Sequence, residues 1–316
     1  MSSESIRSDA ADLAWSLWTE LGVSGVLRNH GGTVIDPEPL LAATPALASG
    51  DPRLLEQVLS WCACHADRVN SGRLTALVKT LRPSARAAFE AFGATANAVA
   101  GTNWPASGSP LSPLPRMREV PMPLDRPAGL RLRARAFCGV GTRADVLCDL
   151  LAHPGVWVTA GQLAEGGHSK RNVARVLAEL DDAGIVVRHA AGNGLRFRLA
   201  QPAALASLLA GNPEASPDWT RIFELAISLL DLAALENTPA AVRRVEANAL
   251  RDALYPPAEL LSLAPPRTRG EPRAWELLME WGTAQMAGLA SGEHSALGVG
   301  AGVSKGASGG ASTIGV

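Results

Sequence analysis

The chain has 316 residues, of which 47% are hydrophobic and 19% charged, with a formal net charge of −1. That length holds about two domains, and the near-neutral balance excludes binding of nucleic acid by overall charge, so any basic surface has to be local. Its four cysteines, at positions 62, 64, 138 and 148, are too few for a disulfide scaffold in a chain this long.

Residues 1–100 read as an all-helical domain. Residues 1–8 are expected to fray. Asp9 to Leu21 is an amphipathic helix, with Leu13, Leu17 and Leu21 at four-residue spacing. Val23 to Ile35 is glycine-punctuated and irregular or extended. Asp36-Pro37 and Asp51-Pro52 each place an N-cap before a first-turn proline; the first of these helices is expected to break near Pro45. Asn70 caps a further helix, and Pro83 opens an alanine-rich one to about Val99. Residues 101–129 carry seven prolines among Gly, Ser and Arg. They predict an extended linker and the clearest domain boundary.

The next unit spans 130–200. Leu130 to Phe137 alternates Leu or Ala with Arg and fits either a strand or a helix. From Gly141 a helix pattern leads into a short extended piece, Val156-Trp157-Val158. Thr159 caps a short helix, Gly166-Gly167 makes a turn, and Ser169 caps a third helix that Gly184 stops. Two strand-like runs, Ile185 to His189 and Leu195 to Leu199, flank Asn193-Gly194, a hairpin pair that tolerates positive φ. Residues 201–290 form a helical C-terminal region. Helices begin near Pro202, Pro217 and Pro239 and end with Trp275 to Leu289, interrupted at Pro256-Pro257 and Pro265-Pro266. Residues 291–316 are a Gly/Ala/Ser tail expected to be disordered. The fold class is therefore mainly α with one small hairpin.

Thr159 to Ala164, Ser169 to Leu180 and Asp181 to Val186 together resemble the winged helix-turn-helix regulators of bacteria, with a MarR-like wing. The resemblance covers about a fifth of the chain and implies sequence-specific binding of double-stranded DNA, usually as a homodimer. Dimerisation would match a two-fold operator with half-sites about one helical turn apart. The runs from Asp51 to Leu74 and from Arg133 to Gly141 are more faintly similar to the antitoxin-like companions of nucleotidyltransferase toxins. That likeness implies a protein partner such as a toxin.

The residues themselves point to the same face. Val173, Val176, Leu177 and Leu180 fall at helical spacing and bury one side of the third helix. Lys170, Arg171, Asn172 and Arg175 lie opposite, near the N-terminal end that reaches base edges in a major groove. Lys170 is one of only three lysines in the chain, with Lys79 and Lys305. Ser169 and the free amides beside it suit a phosphate. The wing adds Arg188, His189, Asn193, Arg196 and Arg198, with Arg196 and Arg198 on the face away from the core. His168 is placed to support the turn or touch phosphate. Arg131, Arg133 and Arg135, with Arg116, Arg118 and Arg126, fit either an arm that tracks phosphates or a solvated flank.

Competing chemistry is thin. Cys62-Ala63-Cys64-His65 is too tightly spaced for a zinc knuckle and lacks a second ligand pair. Gly139-Val140-Gly141 imitates a dinucleotide fingerprint without the strand before it. The six histidines lie in no recognisable catalytic context. No enzyme, cofactor or metal is expected. No run approaches ~18 apolar residues, the usual membrane-spanning length. The N-terminus has no basic-then-apolar leader pattern. The expected compartment is the cytoplasm. The alternative to DNA binding is a winged module that binds and restrains a partner protein.

Overall fold

A computed structural model describes residues 3–192, 194–209, 213, 216–260 and 263–293, with side chains left out over 254–260. The described residues form thirteen α-helices and one two-stranded antiparallel hairpin.

The first five helices are set by local rules. They are α1 (Ser3–Glu20), α2 (Pro37–Leu47), α3 (Pro52–His65), α4 (Ser71–Thr80) and α5 (Pro83–Ala100). Asp51 and Asn70 accept the Leu54 and Arg73 backbone N–H groups at 3.1 Å each and so cap α3 and α4. Gly101, at φ +65°, ends α5 in the left-handed region. Residues 3–8 do not fray. Ile6 and Ala10 are fully buried, so a hydrophobic anchor holds the first turns in place. Nor does α2 break at Pro45. Proline's φ of about −65° is itself helical, and Pro45 lies in the last turn of α2, so a single i→i−4 hydrogen bond is forgone.

Residues 101–129 are a strap rather than a free tether. Trp104 and Val120 are buried, Ser107 N–H donates to Glu90 O at 2.9 Å, and Leu111 N–H donates to Thr95 Oγ1 at 3.0 Å. His65 Nε2–H donates to Val120 O at 2.7 Å, and Cys64 Sγ lies 3.6 Å from Arg118 O. The Cys-Ala-Cys-His run thus helps hold the strap. Cys62, in the same run, is buried, which pushes its thiol pKa up.

The chain then builds a second core. It uses α6 (Leu130–Cys138), α7 (Thr142–Ala152), α8 (Ala160–Ala164), α9 (Lys170–Asp182), β1 (Val186–Ala191), β2 (Gly194–Leu199) and α10 (Pro202–Leu208). Leu130–Phe137 is therefore helical, and Gly139-Val140-Gly141 joins two helices rather than a strand to a helix. The last three helices are α11 (Trp219–Ala234), α12 (Ala240–Leu260) and α13 (Ala274–Ser291). They return to the first core, with α13 along α1 and α11 across α1 and α2. The break expected at Pro256-Pro257 does not occur: the helical backbone of α12 runs on to Leu260. No helix among the described residues is long and apolar enough to cross a membrane.

Candidate nucleic-acid interface

In the central unit α7 leads into a short extended piece. Val158 N–H donates to Phe197 O at 2.9 Å, and Phe197 N–H donates back to Val158 O at 2.8 Å. This bridge lays the piece beside β2, which pairs with β1 from Val186↔Leu199 to Ala191↔Gly194. Between them, Thr159 and Gln162 form a capping box on α8. Ser169 Oγ accepts the Asn172 N–H at 3.2 Å and caps α9. Gly184, at φ +69°, ends α9 where β1 must start.

Val173, Val176, Leu177 and Leu180 bury one face of α9 as their spacing requires. Lys170, Arg171 and Arg175 are exposed on the other side, and Asn172 is half-buried. Period-two geometry puts Val187, His189, Arg196 and Arg198 on the outer face of the hairpin. Trp157 completes that face. The Arg198 guanidinium lies 4.8 Å from the Trp157 ring centroid, and the His189 ring lies 5.6 Å away. Arg188 is on the opposite face and pairs with Asp181 of α9 at 3.1 Å. Asn193 lies outside the described residues.

The candidate residues differ in how free they are. Lys170, Arg171 and Arg196 make no ion pair among the described residues. Arg175 pairs with Glu179 at 2.5 Å, and Glu179 also holds Arg143 at 2.5 Å. These guanidinium groups hold the Glu179 carboxyl below its ordinary pKa, the Arg143 hydrogen bond contributing most. Asn172 is engaged at both ends of its amide, with Thr142 and with Arg175. An open cleft of about 360 Å³ lies beside Asn172, Arg175 and Arg143, against the α6–α7 loop.

No protein-family model, curated protein or solved structure matches this chain.

Arg131 and Arg135 are neither an arm nor a solvated flank: they are buried. Arg135 donates to Glu38 at 2.5 and 2.8 Å and to Asp145 at 2.9 Å. Arg131 reaches Asp149 at 2.6 Å and Asp145 at 3.2 Å. Arg73 from α4 grips Asp36 at 2.5 Å and Glu38 at 2.7 Å, and its Nε donates to the Gly166 carbonyl in the α8–α9 turn. Burial alone would raise the pKa of Asp36, but Arg131 and Arg73 outweigh it and lower the carboxyl to about 2. Asp145 is likewise held well below its usual range, chiefly by Arg135 and Arg131 against burial. The helices of the first core and the turn before α9 thus meet in one paired charge cluster. The spacing held a clue: Arg131/Arg135 and Asp145/Asp149 are both i,i+4 pairs, matched across α6 and α7.

Proposed function

We propose that the chain is a DNA-binding transcriptional regulator whose central unit, 130–200, acts as a winged helix-turn-helix. The observation that carries this reading is the placement of Lys170 and Arg171. They are exposed and make no ion pair among the described residues, at the N-terminal end of a helix whose other face is the core of the unit. A helix presented in this way suits the major groove, where Lys and Arg contact guanine and phosphate. The hairpin's outer face, with Arg196 and with Arg198 over Trp157, suits the adjoining backbone or minor groove. A homodimer would fit a two-fold operator.

In a mobility-shift assay the wild-type chain is expected to bind duplex DNA with an affinity that falls steeply with salt. Lys170→Ala and Arg171→Ala should each weaken binding severalfold and make the salt dependence shallower by about one phosphate contact, with Tm unchanged. Unaltered binding in both variants would remove α9 as the reading helix.

A second reading has its own observation. Glu179 and Asp181 already neutralise Arg143, Arg175 and Arg188, and Ile185, Val187 and Leu195 stand exposed on or beside the hairpin. Such a surface suits a partner protein. Absence of duplex binding at ~50 mM salt, where phosphate contacts are strong, would favour it.

A further inference from the structure

Asn172 is the candidate base reader least able to read a base. Its Nδ2 donates to Thr142 Oγ1 at 2.6 Å, and its Oδ1 accepts from Arg175 Nη2 at 2.8 Å. A bidentate contact to adenine needs both of those atoms. The line continues inward. Thr142 Oγ1 lies 3.2 Å from His168 Nδ1, and His168 Nε2 lies 3.0 Å from Asp145 Oδ2. Thr142 is buried and Asp145 wholly so.

The directions of these bonds follow from chemistry. An ionised Asp145 only accepts, so His168 Nε2 carries a proton and donates to it. In the neutral ring, with its one proton on Nε2, His168 Nδ1 accepts from the Thr142 hydroxyl, whose oxygen accepts from Asn172. Every bond then points the same way, from Arg175 through Asn172, Thr142 and His168 to Asp145. Successive bonds in such a line polarise one another. Asp145 is fixed in turn by Arg135, and Arg135 by Glu38 of α2. Arg73 adds a second tie, holding Asp36 and Glu38 at one end and the Gly166 carbonyl at the other.

We propose that Asn172, Thr142 and His168 are positioning residues through which the helical body aims the Arg175 guanidinium at DNA. Arg175 is 63% exposed along its side chain, and without Asn172 only Glu179 among the described residues would restrain it. Held by Asn172 and Glu179, it meets a guanine edge or phosphate already oriented, so less freedom is lost on binding. The proposal rests on the DNA-binding reading of α9.

The test is a double-mutant cycle on the full chain, using duplexes selected by the wild-type protein from a random-sequence pool. Thr142→Val removes the hydroxyl at nearly constant volume. It should weaken the selected duplexes by roughly three- to tenfold, with the wild-type salt dependence, because no phosphate contact is lost. Thr142→Ser should restore binding. In an Arg175→Ala background, Thr142→Val should change nothing further. Asn172→Ala, near the surface, should behave like Thr142→Val even if the buried substitution lowers Tm. Additive losses in the cycle, or wild-type binding in both Thr142→Val and Asn172→Ala, would overturn the proposal. Failure of the wild-type chain to bind any duplex would instead overturn the DNA reading. The positioning line is then judged by amide exchange. Thr142→Val should speed exchange over 169–176 and leave 37–47 unchanged, and equal protection at α9 would refute it.

Discussion

At the scale of single residues, His30 reports how tightly the two ends of the chain are joined. It is 1% exposed, with Nδ1 2.8 Å from Ser16 Oγ and Nε2 3.0 Å from Leu289 O. It therefore pins α1 to α13. Burial lowers its pKa to about 4, with the Leu289 carbonyl opposing. In the unfolded chain its pKa is near ~6.5, so between those two values the unfolded state binds more protons. Stability from this group is complete above pH ~6.5 and is lost as pH falls toward about 4. The loss is on the order of 3 kcal/mol. Urea unfolding from pH 7.5 to 4.5 should show this decline, and His30→Gln, which keeps a donor and an acceptor, should flatten it. A decline that persists in the variant would assign the dependence elsewhere. Asp36 does not interfere. Its carboxyl is depressed to about 2, so its contribution is present above the unfolded value of ~3.9 and is lost only below that.

At the scale of elements, the strap over 101–129 depends on one glycine of α5. A Cβ at Gly93 would lie 2.3 Å from the Pro105 carbonyl oxygen. The backbone there cannot yield easily, because Trp104 is bonded to Asn97 on both sides of its peptide and Ser107 to Glu90. Gly93→Ala should gain about 1 kcal/mol of helix propensity and lose more by pushing the strap away, about 1–3 kcal/mol for overpacking. The net effect should be a lower Tm and faster proteolysis within 106–119. A raised Tm would show that the strap shifts freely. This element also marks what was legible in the sequence. Helix starts at Asp51, Asn70, Thr159 and Ser169 were readable because a cap acts within three residues. The hairpin and the buried face of α9 were readable because period fixes face. The docking of the strap was not, because prolines report only that no helix forms and not what the segment lies against. Asp36 shows the same limit: it has the spacing of an N-cap, yet its side chain caps nothing and grips Arg73 instead. Hydrogen-bonded partners in the charge cluster are up to 97 residues apart, as with Glu38 and Arg135, so only matched i,i+4 pairs on α6 and α7 hinted at it. At the candidate interface, the sequence placed the exposed face of α9 but could not show that Asn172 spends its amide within the chain.

At the scale of the whole molecule, the two cores are joined largely through charge. Val34 enters the second core, and Ala128 and Leu132 enter the first. Beside these contacts stand three buried arginines and the carboxylates of Asp36, Glu38, Asp145 and Asp149. An apolar joint of the same volume would commonly be as stable or more so, which makes directional positioning of one core on the other a better account of this cluster than stability alone. Arg135, fully buried, is its hub. Arg135→Met keeps the volume but strands Glu38 and Asp145 as buried, underpaired anions, at a cost of roughly 3–5 kcal/mol at neutral pH. The cost comes from charge and not from lost packing, so its sign with pH can be worked out. In the wild type, Asp145 stays ionised well below the ordinary carboxylate range, so acidification to pH 4.5 leaves its pairing intact. In the variant, Asp145 loses the cation that does most to hold its pKa down, so its pKa rises and protonation relieves it. The stability gap between the two proteins should therefore narrow between pH 7 and pH 4.5 in denaturant titrations. A gap that stays constant would mean that packing around Arg135 holds the cores together, and that charge does not.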